Sequence, residues 1–283
     1  MSDTRLLRGA CFAIGASLMF ATMGASIRIA SAHLPNEVVV FLRNVFGLLF
    51  LFPWVFRQGL ASLATTRLRM HVTRSFAGLA AMYCFFYAIA HLPLAEAVLL
   101  NYSAPLFIAP IALLWLGEAI LPIVAAAILS GFVGVGLILK PGFGEFSVAA
   151  WVGLLSGFLA AIAMVSVRNL AATEPTVRTV FYFSVTCTTV SAIPLLWAWQ
   201  IPQWQDVATM AAAGFFATQG QLLLTHSYGL APAAHIGPYT YTTVIFAALI
   251  GWWLWQETPD RFTAIGALLI SIAGILTMSR KSE

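Results

Sequence analysis

Long apolar stretches follow one another along the chain with only short polar breaks between them. Residues 147–167, for example, read SVAAWVGLLSGFLAAIAMVSV and contain no charged side chain. A stretch of about 18 or more apolar residues is long enough to cross a bilayer as a helix. The apolar runs are continuous and do not alternate with polar residues as the strands of a membrane barrel do. The predicted class is therefore a polytopic α-helical membrane protein.

Composition supports this class, because 61% of the 283 residues are hydrophobic and only 8% are charged. An ordinary soluble domain has about 25% charged residues. The net charge of +4 fits basic anchors at a membrane surface better than a nucleic-acid interface. Cys11, Cys84 and Cys187 lie within apolar runs and form no metal-binding or disulfide pattern. We expect no nucleic-acid partner, no metal ion and no cofactor.

Ten apolar segments can be placed, and proline and glycine mark most of the short breaks between them. The segments cover residues 9–31, 37–56, 73–92, 95–116, 120–139, 147–167, 178–199, 207–229, 235–255 and 262–279. The chain is thus predicted to span the inner membrane ten times, with the lipid bilayer as its surroundings.

The lysines and arginines are distributed unevenly between the two sides of the membrane. One side holds Arg5, Arg8, Arg57, Arg67, Arg69, Arg74, Arg168, Arg178, Arg280 and Lys281, and the other holds Arg28, Lys140 and Arg261. Because cytoplasmic ends are the more basic ones, the first set marks the cytoplasmic side. Both termini are predicted to lie in the cytoplasm.

The chain can be aligned with itself so that Tyr102 meets Tyr241, and we call this shift the repeat offset. It also pairs Pro93 with Pro232, Ala95 with Ala234, Phe107 with Phe246, and Glu118 with Glu257. Five spans per half is an odd number, so the second half must cross the membrane in the opposite sense. We predict two inverted five-helix repeats, residues 1–140 and 141–283. Such repeats are typical of secondary transporters with a substrate site near the membrane midplane.

The chain also resembles a known family over essentially its full length. LPLAEAVLLNYSAPLFIAPIALLWLGEAI and the glycine-rich ILSGFVGVGLILKPG resemble the fourth and fifth helices of EamA-type transporters of the drug/metabolite transporter superfamily. FLRNVFGLLFLFPW resembles the second helix, and WQETPDRFTAIGALLISIAGILTM the end of the second repeat. The resemblance implies ten helices, two inverted repeats and alternating access around a central cavity. Members carry amino acids, S-adenosylmethionine, riboflavin and amines, most often as exporters. Gln256 stands where the first repeat has a glycine before its glutamate.

Polar residues within membrane spans are costly and are therefore candidate site residues. The candidates for lining a substrate cavity are Arg43, Tyr83, Tyr87, Asn101, Tyr102, Thr218, Gln221, Thr225, His226, Tyr228, His235, Tyr239 and Thr242. Arg43 either binds an anionic group of the substrate, pairs with Glu37, or extends to the outer interface. For Arg28 extension to the interface is favoured.

Spans four and eight contain the densest polar groups. Pro105 removes one backbone hydrogen bond and exposes a carbonyl near Asn101. Thr218 and Gln221 begin a polar stripe along span eight, which must face protein or water. Hydrogen bonding between helices is the alternative for both spans. In span three, Tyr83 and Tyr87 either stack on a ligand or serve packing.

Four further residues lie near helix ends. Glu96 and His235 occupy equivalent repeat positions and either couple transport to protons or cap their helices. Glu118 and Glu257 either anchor sharp turns at helix corners or form gate contacts that break on opening.

The remaining motifs narrow the function. No phosphate-binding GxxxxGK[ST] loop is present, so ATP does not drive the protein directly. The five histidines form no HExxH pair and no GxSxG occurs, so we expect no enzyme. A carrier, as a monomer or homodimer, is favoured over a channel or scaffold. The expected cargo is a neutral, zwitterionic or mildly anionic metabolite, amino-acid-like or otherwise amphiphilic. Export is the favoured direction, and uptake of S-adenosylmethionine or a vitamin is the alternative.

Overall fold

The computed structural model describes residues 3–58, 64–116, 122–139, 147–171, 173–174, 176–230 and 239–279. These residues are helical apart from short connections, and they contain no strand. The helices are α1 (Asp3–Ser31), α2 (Asn36–Gln58), α3 (Leu68–His91), α4 (Leu94–Asn101), α5 (Ala104–Leu116), α6 (Pro122–Leu139), α7 (Val148–Ala171), α8 (Thr176–Ser191), α9 (Leu195–Ala198), α10 (Trp204–Leu230), α11 (Thr242–Trp255) and α12 (Arg261–Ser279).

Six of the described helices are long and apolar enough to cross a membrane, namely α1, α2, α3, α6, α7 and α10. Shorter apolar helices cover Leu94–Ile108, Thr242–Trp255 and Arg261–Leu276. The outer surface carries many exposed large apolar side chains, for example Leu114, Leu129 and Leu196. A surface in contact with water rarely exposes such extended apolar patches. The prediction of an all-α membrane protein is confirmed, whereas the number of ten spans stays a prediction.

Three predicted spans are interrupted. The fourth is split into α4 and α5 by a turn at Tyr102 and Ser103, and the seventh is split into α8 and α9 ahead of Pro194. In the ninth, Tyr241 forms a turn immediately before α11. The sequence predicts one continuous fourth helix bent by Pro105, but the helix ends at Asn101 and a new one begins at Ala104.

Polar side chains mark several helix starts. Asp260 accepts a hydrogen bond from the backbone N–H of Thr263 at 2.8 Å at the start of α12. Asp206 accepts one from the N–H of Gln203 at 3.0 Å at the start of α10. These carboxylates satisfy backbone donors that have no partner within the helix.

The helix bounds repeat along the chain. Shifted by the repeat offset, α5 coincides with α11, and α6 with α12, to within one residue at each end. The packing repeats as well. The first-half helices α1 and α2 both pack on α10 of the second half, and the equivalent second-half helices α7 and α8 both pack on α3 of the first half. Two halves of the same fold, each packed mainly against the other, would produce this pattern.

Small residues allow the closest approach between the halves. A Cβ added to Gly134 of α6 would lie 2.8 Å from the carbonyl oxygen of Gly266 in α12, and one added to Gly266 would lie 2.6 Å from the carbonyl oxygen of Gly134. The two backbones therefore touch where they cross, as small residues permit in membrane helices.

Candidate functional site

The two helix interruptions at Tyr102 and Tyr241 meet in the interior. The two rings pack edge to face with centroids 5.9 Å apart. The Tyr102 hydroxyl donates to Thr243 Oγ1 at 2.9 Å, and the Tyr241 hydroxyl donates to the Tyr102 carbonyl at 3.4 Å. Gly274 leaves the space that the Tyr241 side chain fills. Two residues at equivalent repeat positions thus form one contact between the halves.

Hydroxyl side chains replace helical hydrogen bonds at both interruptions. Pro105 has no N–H to donate to the Asn101 carbonyl, and Ser103 Oγ donates to the Leu100 carbonyl at 2.6 Å. At the second interruption, Thr242 Oγ1 donates to the Tyr239 carbonyl at 2.6 Å. Irregular backbone at membrane depth occurs where protein or a cavity surrounds it, and it is a common feature of transporter binding sites.

Two serines, which are also equivalent under the repeat offset, contact these interruptions. Asn101 Nδ2 donates to Ser156 Oγ of α7 at 3.1 Å. Ser17 Oγ of α1 lies 3.3 Å from the Thr240 carbonyl and 2.9 Å from the Ala13 carbonyl. Of the predicted site residues, Asn101, Tyr102, Tyr239 and Thr242 are therefore gathered at this crossing.

Glu257 links three helices at one end of the protein. Its Oε1 lies 2.5 Å from Arg28 Nη1 of α1, and its Oε2 accepts a hydrogen bond from the N–H of Leu94, at the start of α4, at 2.9 Å. The Arg28 guanidinium also lies over the Trp255 ring, 4.5 Å from its centroid. We call Arg28, Leu94, Trp255 and Glu257 the Glu257 corner. Arg28 is thus ion-paired, contrary to the expectation that it extends to the interface.

The backbone of Gln256 shapes this corner. Gln256 has φ of 57°, in the left-handed region, and the N–H of Glu257 bonds to the Gly251 carbonyl at 3.2 Å. Glycine is the residue best suited to this conformation. Beside the corner, Glu96 Oε1 accepts a hydrogen bond from Thr263 Oγ1 at 2.9 Å, which joins the start of α4 to α12.

Gln221 is exposed although it lies on the packed face of α10. Met210, Gly214 and Ala217 precede it by 11, 7 and 4 residues, share its face and are buried. Gln221 is thus accessible between buried neighbours, and its role in lining a cavity stays a prediction.

The aromatic candidates are not brought together. Tyr87 stacks on His91 with centroids 4.2 Å apart, whereas His226 packs edge-on against Phe12 at 4.6 Å. Tyr83 lies in α3 with its hydroxyl buried, and Thr218 donates to the Gly214 carbonyl at 3.0 Å.

Four predicted site residues fall where the structure gives no description. Glu118 and His235 lie outside the described residues, and the side chains of Thr225 and Tyr228 also lie outside them. Arg43 is described: its Nη1 donates to Asn44 Oδ1 at 3.1 Å.

A buried glutamate, Glu174, at the other end of the protein is not predicted by the sequence pattern. Glu174 Oε2 lies 2.6 Å from Arg178 Nη1 and 3.7 Å from His71 Nε2, and its Oε1 accepts from Thr65 Oγ1 at 2.8 Å. Burial raises the pKa of Glu174, but hydrogen bonds from Arg178 and Thr65 outweigh it and hold the pKa below its ordinary value. The only sequence feature that could have indicated this ion pair is the spacing of four residues between Glu174 and Arg178, a spacing that would place both side chains on one face of a helix.

No group of three or more histidine, cysteine or acidic residues suited to a metal ion occurs in the described part of the chain. The crossing near Tyr102 and Tyr241 instead presents hydroxyl, amide and aromatic groups around two interrupted helices. Groups of these kinds can bind a solute.

Comparison with known proteins agrees with this geometry. The chain is 36% identical to the pseudopaline exporter CntI of Pseudomonas aeruginosa strain PAO1 over 273 residues, covering 95% of each chain. It is 25% identical to a riboflavin transporter of Vibrio cholerae, over 94% of this chain and 91% of that protein. It is also 25% identical to an S-adenosylmethionine uptake transporter of Rickettsia felis, over 87% and 86%. A solved structure shares the fold with a TM-score of 0.67 at 18% identity, over 96% of this chain and 97% of that chain.

The family assignment follows from a match along both halves. The sequence profile of the EamA-like transporter family matches residues 7–140 and again residues 147–280. These two matches and the full-length relatives confirm the resemblance seen in the sequence: the chain belongs to the EamA-like transporter family.

Proposed function

We propose that this protein is a secondary active transporter that moves a small organic metabolite across the inner membrane by alternating access. The observation that carries the proposal is the meeting of two interrupted helices at Tyr102 and Tyr241. Interrupted helices from two repeats leave backbone and side-chain polar groups at the crossing, where a solute can bind. The solute path then runs between the two halves.

The two halves are residues 1–140 and 141–283, in opposite orientations. Support comes from the coincidence of α5 with α11 and α6 with α12 at one offset, and from the family profile matching twice. With both termini in the cytoplasm, the Glu257 corner lies at the external end of the protein.

The Glu257 corner acts as an external gate. Its carboxylate contacts α1 and the start of α4 from the end of α11, so separation of these helices must break both contacts. Glu118 occupies the same repeat position and is proposed to serve the cytoplasmic side. Glu96, which bonds Thr263, and His235 are the proposed proton-coupling groups.

The proposed direction is export of an amino-acid-like or otherwise amphiphilic metabolite, by a monomer or homodimer. Export is the function that the 36% identical Pseudomonas relative is named for. Uptake is the second candidate, favoured by the more distant S-adenosylmethionine uptake transporter of Rickettsia felis. Residues Arg43, Tyr83, Tyr87, Thr218, Thr225, His226 and Tyr228 remain proposed contributors to the cavity wall.

The test begins with metabolite profiling of cells that lack or overproduce the protein, followed by counterflow of each candidate solute in liposomes. Saturable counterflow supports a carrier, whereas flux that never saturates would show a pore. Gln221→Leu is expected to abolish counterflow with the amount of folded protein unchanged, because it removes an accessible polar group from the packed face of α10. Gln219→Leu, on the opposite side of α10, is the matched control and should transport normally. Unchanged counterflow by Gln221→Leu would remove Gln221 from the site.

A further inference from the structure

Of the eleven buried side-chain nitrogen and oxygen atoms that have no hydrogen-bond partner in the described part of the chain, five belong to two pairs of neighbouring residues, one pair in α2 and one in α3. The atoms are Arg43 Nε, Asn44 Nδ2, Arg74 Nε, Arg74 Nη1 and Ser75 Oγ. Buried polar groups in proteins are nearly always paired. Five unpaired donor atoms from two neighbouring helices therefore call for a physical reason. We call Arg43, Asn44, Arg74, Ser75 and Cys187 the arginine cluster.

The packing of α2 and α3 brings the two arginines to the same level. Asn36 Nδ2, at the start of α2, donates to the Tyr83 carbonyl of α3 at 3.0 Å. Consecutive membrane-crossing helices run in opposite directions. Counting seven residues forward from Asn36 reaches Arg43, and counting seven residues back from Tyr83 reaches residue 76. Arg43 therefore lies at the level of residues 74–76 of α3.

The third side of the cluster is formed by α8. Cys187 Sγ donates to the Ser75 carbonyl at 3.8 Å. The Arg74 guanidinium lies over the Phe183 ring, 3.6 Å from its centroid. The charge pattern of the sequence predicts that Arg74 is a basic anchor at the cytoplasmic surface, but its side chain extends between α3 and α8 instead.

No carboxylate balances the two positive charges in the described residues. The ion pairs there include Arg28–Glu257, His33–Asp206, His71–Glu174 and Arg178–Glu174, and none involves Arg43 or Arg74. Pairing with Glu37 was one of the three alternatives for Arg43, and the two residues form no ion pair within the described ranges. Arg43 and Arg74 are partly buried and have no ion-pair partner among the described residues. This arrangement destabilises the protein, because a charge removed from water needs a counter-charge or hydrogen bonds.

The second half carries no charge at the equivalent positions. At the repeat offset, Arg43 corresponds to Tyr182 and Arg74 to Ala213. The same helix positions in the second half are therefore occupied by uncharged residues. A role in ligand binding explains why the first half keeps both arginines.

We propose that Arg43 and Arg74 together bind the carboxylate groups of the transported solute, and that this solute is an organic acid with at least two carboxylates. The proposal rests on the transport function proposed above and names its substrate class. Each guanidinium presents a planar fork of donors that fits a carboxylate with two hydrogen bonds. Asn44 and Ser75 supply neutral donors, and two carboxylates neutralise the two buried charges.

The first test measures thermal unfolding of the full-length protein in detergent without added solute. The double variant Arg43→Gln/Arg74→Gln is expected to melt at the same temperature as the wild type or higher, because it removes two unpaired charges. Arg69→Gln, an exposed arginine on the same helix as Arg74, is the matched control and should not change the melting temperature. A lower melting temperature for the double variant would show that the arginines hold the fold together, and would overturn the proposal.

The second test measures stabilisation by defined probes: malonate, succinate, glutarate and adipate, with the corresponding diamides as uncharged controls. At least one dicarboxylate should raise the melting temperature of the wild type, and its diamide should not. Arg43→Lys keeps the charge and the fold but loses the planar fork, and should weaken apparent affinity about tenfold. Stabilisation by inorganic phosphate with none by any dicarboxylate would overturn the proposal, as would no stabilisation by any of these anions.

Counterflow in liposomes separates this inference from the proposed function. If the wild type transports a solute that dicarboxylates compete with, and the double variant raises its KM at least tenfold, both are supported. If the double variant transports with the wild-type KM, the arginine cluster is not the binding site, and the transport function still stands. If the wild type transports no solute, the proposed function itself fails.

Discussion

Glu257→Gln tests the proposal that the Glu257 corner closes the external end of the protein. The substitution keeps the size of the side chain and one oxygen that can accept from the N–H of Leu94. It removes the charge that pairs with Arg28 at 2.5 Å. The closed state therefore loses an interaction that an open state does not make, and the equilibrium between the two shifts towards opening.

The size of the shift follows from how far the pair is buried. The Arg28 and Glu257 side chains are 19% and 18% exposed, between a surface pair and a fully buried one. Surface pairs contribute about 0–1 kcal/mol, and removal of one partner of a buried pair costs about 3–5 kcal/mol. We take about 2 kcal/mol for this pair, which corresponds to roughly a 30-fold change in the closed–open equilibrium.

The assay is the rate at which an external thiol reagent labels a cysteine beside the corner. Ala248 lines the small pocket beside Glu257 and Glu96, so Ala248→Cys is placed in a protein whose three native cysteines are serine. A membrane-impermeant reagent should label this cysteine roughly 30-fold faster when Glu257→Gln is added. Glu37→Gln, at the start of α2, is the matched control because Glu37 takes no part in the corner.

Two results would refute the gate. If labelling stays at the wild-type rate while the melting temperature falls, Glu257 only anchors a helix corner. If Glu37→Gln accelerates labelling equally, the effect comes from the lost negative charge at that end and not from the contact with Arg28.

Two further predictions concern stability. Gly274→Ala places a methyl group where the Tyr241 hydroxyl lies, and the overpacking should cost about 1–3 kcal/mol, seen as a lower melting temperature in detergent. Glu174→Gln should cost about 2 kcal/mol at pH 7, because it removes a charged hydrogen bond to Arg178. Since the folded state lowers the pKa of Glu174, this stabilisation is complete above the ordinary pKa of about 4.3 and is lost as the pH falls through the lower value. The difference in melting temperature between the wild type and Glu174→Gln should therefore narrow below about pH 4.

Each of these has an internal control. A Cβ on Gly136 would meet nothing within 4 Å, so Gly136→Ala should leave the melting temperature unchanged or raise it slightly, because alanine favours the helix more than glycine does. Equal falls in melting temperature for the two alanine variants would contradict the packing argument. For Glu174, a difference from the wild type that stays constant from about pH 3.5 to pH 8 would show that the carboxylate charge does not stabilise the fold.

The helical membrane class and the internal repeat could be predicted because both depend on local pattern. Apolar runs of sufficient length are helical in lipid whatever they pack against. The interruption at Tyr102 was predicted only in part: Pro105 signalled the lost hydrogen bond, but Tyr241 has no proline three residues after it. There the turn comes with threonine side chains that bond the preceding carbonyls.

The candidate site was predicted unevenly. Asn101, Tyr102 and Gln221 were identified from their polarity, and the structure places the first two at the crossing of the halves. Arg74 was assigned to the membrane surface because it lies in the second turn of α3. A long side chain at that point can extend either to the surface or between the helices. Glu174 was not identified at all, because a carboxylate between two spans is ordinarily exposed to water.

By itself the sequence determined that the chain is a bundle of membrane helices in two related halves, since hydrophobic length and repeat offset are properties of the chain alone. Only the tertiary structure decided which polar groups meet. The ion pair of Glu257 with Arg28 joins the last third of the chain to its first helix, and the contact of Arg74 with Phe183 joins two different halves. Such pairings depend on which face each helix turns towards its neighbours. That choice is set by close packing between helices, including the contact of Gly134 with Gly266, and hydropathy along the chain does not encode it.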